Sequence, residues 1–186
     1  MRLFVSADLD GPEDAVAAVQ EPLAGLPGLN LTDPAQAHVT VKFLGDGPDD
    51  GHDLDALDDA LAAAVEDTGV DPFEADFEGL GVFPSLEYIR VVWLGVDAGG
   101  EELTRLHEAV EERTTALGYE PESHEFTPHV TLARMNHAAA KERVQEYVRE
   151  GTVEVGRRRI EELRLTESKL TDSGPVYETV ERYPLG

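Results

Sequence analysis

Apolar and polar positions along this chain change period several times, and they do so in the same order twice. The chain opens on an apolar, β-branched run, Arg2-Leu3-Phe4-Val5-Ser6-Ala7-Asp8, which predicts a strand. An amphipathic segment, Glu13 to Leu26, follows, and then the alternating His38-Val39-Thr40-Val41-Lys42-Phe43-Leu44-Gly45. The second half repeats the scheme. Arg90-Val91-Val92-Trp93-Leu94-Gly95-Val96-Asp97 is strand-like, Leu103, Leu106, Val110 and Leu117 recur at helical spacing, and His129-Val130-Thr131-Leu132-Ala133-Arg134 alternates again. Helical stretches, Leu54 to Val65 and Ala138 to Arg149, come after each alternating run, and each leads into a strand-like run, Phe73 to Val82 and Thr152 to Thr166.

The reading is β-α-β-α-β twice, with a last strand near Val176 to Val180. Repeat one covers about residues 1–86 and repeat two about 87–186. Gly25, Gly28 and Gly118 stand where helices should stop, and Pro84 and Pro128 mark strand edges. Glu87 to Val96 is too apolar for a flexible linker. One domain over 1–186, of two closely packed lobes, is therefore expected, with a ligand cleft between them.

The alternating runs carry the chemistry. Residues two apart in a strand share a face, so His38 projects with Thr40 and His129 with Thr131, while Val39, Val41, Val130 and Leu132 can be buried. One His-x-Thr is an ordinary strand, whereas two at matching places in a duplicated chain are not easily accidental. Two imidazoles and two hydroxyls around one cleft suit cleavage of a phosphodiester. One histidine activates the attacking oxygen, the other protonates the departing one, and the hydroxyls bind phosphoryl oxygens. An imidazole serves in either role near its ordinary pKa of about 6.5. The scheme needs no metal and no cofactor, and it predicts a bell-shaped pH dependence.

Charge modifies this picture. Of 186 residues, 15 are Lys or Arg and 39 are Asp or Glu, a net charge of −24. The only lysines are Lys42, Lys141 and Lys169. Such repulsion is relieved by screening, which points to a source with high internal salt. A basic surface, the usual footprint of a nucleic-acid binder, is absent, but phosphate electrostatics contribute little in concentrated salt. There is no cysteine, hence no disulfide framework, thiolate metal site or Cys nucleophile. No apolar run approaches the ~20 residues of a membrane span, and the opening residues do not read as a signal peptide, so a cytoplasmic protein is expected.

His38-Val39-Thr40-Val41-Lys42-Phe43-Leu44-Gly45, taken with Phe126-Thr127-Pro128-His129-Val130-Thr131-Leu132-Ala133-Arg134, resembles the two-histidine (2H) phosphoesterases. Within them the chain is similar to the RNA 2′,3′-cyclic phosphodiesterases, also called 2′-5′ RNA ligases. Phe83-Pro84-Ser85, Arg90 to Gly95, and the tail from Gly174-Pro175-Val176-Tyr177 to Pro184-Leu185 share that likeness. The resemblance implies a bilobal α+β fold with antiparallel sheets lining a central cleft. It implies hydrolysis of an RNA 2′,3′-cyclic phosphate end to a 2′-phosphomonoester, with tRNA fragments among the RNAs that carry such ends. By motif position His38 is the proton donor to the 3′-oxygen and His129 the acceptor that activates water; the symmetry of the motif does not itself decide between them. Thr40, Thr131 and Arg134 are expected on the phosphate, though strict alternation points Arg134 away unless a bulge intervenes. A monomer is expected.

Other residues have two readings. Lys42 shares parity with His38 and Thr40, so it either enters the cleft or snorkels from a strand end. Phe4, Phe43 and Trp93 can stack on a base, but strand aromatics are more often core, and core is preferred here. Arg157-Arg158-Arg159 reads as a solvated, salt-bridged strand rather than an RNA contact. Asp46 to Asp59 lacks calcium-loop spacing and reads as a solvated loop and helix start, with His52 exposed. His107-Glu108 and His124-Glu125 form no zincin motif, and His137 begins a helix. No phosphate-cradling G-x-x-x-x-G-K-[ST] is present. Two alternatives remain open: a 2′-5′ RNA ligase joining tRNA halves without ATP, and a non-catalytic RNA or nucleotide binder.

Overall fold

The computed structural model describes residues 1–48 and 51–186. Nine strands and four helices follow in the order β1 (Arg2–Asp8), α1 (Glu13–Gln20), β2 (Leu29–Leu31), β3 (His38–Gly45), α2 (Leu54–Thr68), β4 (Phe73–Pro84), β5 (Ile89–Val96), α3 (Gly100–Thr115), β6 (His129–Met135), α4 (Lys141–Glu150), β7 (Glu154–Ile160), β8 (Glu162–Thr171) and β9 (Gly174–Pro184). The helices form where the apolar spacing requires. Leu57, Leu61, Ala64 and Val65 bury one stripe of α2, and Leu103, Leu106 and Val110 one stripe of α3. Asp53 caps α2 through the amide of Ala56, and Gly69, at φ 62°, ends it in the left-handed conformation. The run Glu13 to Leu26 is shorter as a helix than its pattern suggests. α1 stops at Gln20 and a 3₁₀ turn, Glu21–Leu23, follows, because Pro22 has no N–H to continue the ladder. The run Thr152 to Thr166 is two strands, β7 and β8, turning at Glu161.

All strand pairs are antiparallel, and the sheet order is β7-β4-β5-β6-β3-β1-β8-β9, with β2 pairing β6. The α+β class is as the resemblance implies. The halves of the sheet do not coincide with the sequence repeats, however. β4, from residues 1–86, lies in the half with β5, β6 and β7, while β8 and β9, from residues 87–186, close the half with β1 and β3. The halves meet where β3 pairs β6, at Val39 opposite Val130, and farther along β6 the short β2 takes the neighbouring place. One large core lies under both halves, with a smaller cluster of Leu23, Ile89, Val92, Ala133 and Val144 beside α4. Among the described residues no helix is long and apolar enough to cross a membrane.

Both strands at this junction carry a bulge at the same place. Ser6 lies opposite Thr40 and Val5 opposite Lys42, so Val41 is an extra residue in β3. Trp93 lies opposite Thr131 and Val92 opposite Ala133, so Leu132 is the extra residue in β6. The burial patterns match: Val41 and Lys42 are both buried and Phe43 is exposed, and Leu132 and Ala133 are both buried and Arg134 is exposed. Each bulge flips the inside-outside alternation of everything beyond it.

Candidate active site

Val39 and Val130 are fully buried, so their neighbours face the opposite side of the sheet. The strands meet at the single pair Val39–Val130, with His38 and Thr40 flanking it on β3 and His129 and Thr131 on β6. Two imidazoles and two hydroxyls therefore flank the β3–β6 junction on the face opposite the two valines.

The two rings are held alike. His38 Nδ1–H donates to the carbonyl of Gln36 at 2.8 Å, and His129 Nδ1–H donates to the carbonyl of Thr127 at 2.6 Å. A carbonyl only accepts, so the proton is fixed on Nδ1, and Nε2 is the nitrogen left to take up a proton in both rings. His38 Nε2 lies 3.1 Å from Thr40 Oγ1. Aromatic walls orient the rings. Phe4 stacks on His38 at 5.0 Å and Tyr177 meets it edge-on at 5.3 Å, while Phe83 and Trp93 lie 4.9 and 5.8 Å from His129.

Burial pushes both imidazoles below the ordinary histidine pKa. For His38 the Gln36 carbonyl and the carboxylate of Asp8 oppose that fall, and Arg134 adds to it. For His129 the Thr127 carbonyl opposes it, while His38 and Arg134 add to it. The symmetry breaks at one position. Asp8 of β1 lies opposite His38, and the residue opposite His129 on β5 is Gly95. Asp8 thus works against proton loss from His38, and among the described residues no carboxylate does so at His129. Asp8 is itself fixed by Ser6 Oγ at 2.6 Å and Arg164 Nη1 at 3.0 Å, in the wall of a pocket of about 200 Å³ that also holds His38, Thr166 and Tyr177. A wider recess of about 520 Å³ opens past Trp93, beside Thr127 and Pro128.

The bulges decide which expected residues reach this face. Arg134 reaches it, and its charge acts on both imidazoles. Phe43 also arrives, 63% exposed, 6.4 Å from Phe4. Lys42 does not. It is 1% exposed and turned to the core, where Nζ donates to Glu111 Oε2 at 2.9 Å and to the carbonyl of Glu120 at 2.6 Å. Phe4 is buried, as expected of a core aromatic, with its ring on His38; Trp93 packs on His129, and Phe43 lies exposed beyond the bulge rather than in the core.

Away from the cleft, Arg157 pairs with Glu74 and Asp76, and Arg159 with Glu161, as expected of a salt-bridged strand, whereas Arg158 is half-buried and donates to the carbonyls of Asp10 and Gly11. His52 is bound rather than exposed: Tyr119 Oη lies 2.7 Å from Nδ1, and Nε2 lies 2.8 Å from the carbonyl of Met1 and 3.1 Å from that of Gly45. Asp49 and Asp50 of the acidic loop lie outside the described residues. His137 caps a 3₁₀ turn, Ala138–Ala140, through the amide of Ala139. Sequence reasoning missed Asp8, Gln36 and Tyr177 as neighbours of His38. The β1–β3 register brings Asp8 to His38 and β9 brings Tyr177, while Gln36 acts through its backbone carbonyl, which no residue pattern marks.

A bulged antiparallel sheet with two His-x-Thr couples facing one cleft defines a two-histidine phosphoesterase. The family model described as the 2′-5′ RNA ligase superfamily matches residues 10–171, and the chain belongs to that family. Relatives include the RNA 2′,3′-cyclic phosphodiesterase of Methanothermobacter thermautotrophicus, 34% identical over 188 residues covering 100% of this chain and 99% of the relative. That of Archaeoglobus fulgidus is 34% identical over 179 residues, 95% and 96% of the two chains. The crystal structure of TT0787 from Thermus thermophilus superposes with a TM-score of 0.75 at 30% identity, covering 100% and 98%. E. coli LigT complexed with 3′-AMP, at 20% identity and a TM-score of 0.77 over 99% and 97%, shares the fold.

Proposed function

We propose that this chain hydrolyses RNA 2′,3′-cyclic phosphate ends to 2′-phosphomonoesters. The observation that carries the reading is the pair of His-x-Thr couples on one face at the β3–β6 junction, each with its ring proton held on Nδ1 by a carbonyl so that Nε2 carries none. The relatives' activity supports the substrate class. In the reaction, His129 Nε2 takes a proton from water, whose oxygen attacks phosphorus. The bond from phosphorus to the 3′-oxygen breaks, and His38 Nε2 delivers its proton to that oxygen. Thr40, Thr131 and Arg134 hold the non-bridging oxygens, where negative charge accumulates. Phe43 offers its exposed ring to a base.

Asp8 supports assigning the donor role to His38, because an imidazolium is better stabilised beside a carboxylate than beside Gly95. Both histidines come from one chain, which supports a monomer as the working unit. tRNA fragments with such ends fall in the same substrate class.

The test is product analysis on an RNA oligomer ending in a 2′,3′-cyclic phosphate, at high salt. The reading expects a 2′-monoester. A 3′-monoester overturns the assignment of the leaving oxygen, and binding without turnover overturns the enzyme reading.

A further inference from the structure

Few polar side chains are buried in this protein, and two of them hold the bulges. Gln20, 3% exposed, is the last residue of α1, and its Nε2 lies 3.0 Å from the carbonyl of Leu132, the extra residue of β6. The same nitrogen lies 2.9 Å from the carbonyl of Thr32. The Thr32 amide in turn donates to the Leu132 carbonyl at 3.0 Å, and its hydroxyl lies 2.9 Å from the carbonyl of Thr131. His107, 7% exposed on α3, donates from Nδ1–H to the carbonyl of Val41, the extra residue of β3, at 2.7 Å. Its ring stacks on Phe126 at 4.1 Å and 6°.

The arrangement is reciprocal. α1 belongs to the first sequence repeat and reaches the bulge of the second; α3 belongs to the second and reaches the bulge of the first. A bulge takes a residue out of the regular ladder, so its buried carbonyl needs donors from elsewhere. His107 supplies that of Val41, and Gln20 shares that of Leu132 with the amide and hydroxyl of Thr32, which Gln20 also holds. A donor from the helix behind the sheet makes the bulged register the favoured one. That register alone carries Arg134 and Phe43 onto the cleft face.

We infer that Gln20 and His107 are positioning residues, which hold the two strand bulges and thereby keep Arg134 and Phe43 turned into the cleft. Their effect on turnover rests on the phosphate and base-stacking roles proposed above for Arg134 and Phe43; their effect on the bulges does not.

The experiment combines kinetics with fluorescence on the full chain, with thermal melts confirming folding. Gln20→Met keeps the side chain's length and removes the donor. It should lower kcat/KM on the cyclic-phosphate RNA by about tenfold or more, as misplacement of a binding group does. In an Arg134→Ala background the same change should cost no more than about twofold, because the group it positions is already gone. His107→Leu should behave likewise against Phe43→Ala. His107→Asn, whose amide nitrogen falls near the position of Nδ1, should restore activity to within about threefold of the parent. Trp93, the only tryptophan, lies opposite Thr131 at the β6 bulge. Its emission should shift in Gln20→Met and stay unchanged in His107→Leu.

Full activity in Gln20→Met, additive losses in the paired variants, or His107→Asn as poor as His107→Leu overturns the inference. Should Arg134→Ala alone retain parental turnover, the phosphate role is wrong, and the Trp93 shift then decides the positioning role by itself. Should Gln20→Met fail to fold, the Leu and Asn variants of His107 decide it.

Discussion

His38 and His129 have the same chemistry and different neighbours. Both donate Nδ1–H to a carbonyl two residues back, and burial lowers the pKa of both. The carboxylate of Asp8 faces one of them, and Arg134 and Tyr177 complete that ring's surroundings from β6 and β9. The negative charge raises the His38 pKa, and under the proposed assignment of His38 as the acid, loss of its proton sets the alkaline limb of kcat/KM. Asp8→Asn should therefore move that limb to lower pH and leave the acid limb, set by His129, nearly in place. A pH profile of kcat/KM checks this, and an unmoved alkaline limb removes the assignment of His38 as the acid. Because both imidazoles titrate below the usual histidine range, the parental optimum should lie on the acid side of neutrality. The histidines and threonines were legible in the sequence, since parity within a strand and the repetition of the motif suffice to pair them. Asp8 was not, because its role comes from a register that joins β1 to β3.

At the scale of the element, the bulges separate what periodicity could show from what it could not. Helical spacing located α2 and α3 closely, and alternation located β3 and β6. Alternation also placed Lys42 with the histidine and left Arg134 on the wrong face, because it has no means of counting an extra residue. The bulge exchanges these positions: Lys42 enters the core and Arg134 leaves it. Once buried, Lys42 needs its charge matched. Glu111 supplies the partner while also accepting from the amide of Glu122, and these bonds pull its carboxyl below the ordinary range despite desolvation, the largest influence on it, which pushes it up. Lys42 is the buried member of the pair, while Glu111 is 21% exposed and keeps some access to water. Lys42→Ala should cost more than about 1 kcal/mol of stability, read from denaturant unfolding. A loss below about 1 kcal/mol, typical of surface pairs, would show that the pair is solvated in practice. The same bonds tie β3 to residues 120 and 122, in the segment that runs on to His129.

For the whole molecule, the exchange of β4 for β8 and β9 makes the halves inseparable. Neither repeat can complete its half of the sheet alone. Repetition in the sequence revealed the duplication but not the exchange, because pairing partners are a property of the assembled sheet. The net charge of −24 also acts at this scale. Raising salt from about 0.1 M to about 1 M shortens the screening length from about 10 to about 3 Å. The melting temperature should rise across that range, and a flat or falling melting curve would contradict the view that self-repulsion limits stability here. The folded cleft is where both scales meet, since it exists only when the two exchanged halves are closed against one another.

The most direct measurement is turnover of an RNA ending in a 2′,3′-cyclic phosphate by His38→Ala and His129→Ala, each checked for an unchanged melting temperature. Loss of either proton-transfer group should slow the reaction by about a hundredfold or more. Parental turnover by either folded variant would mean that one imidazole is a bystander, and the account of two rings working on a single phosphorus would be wrong.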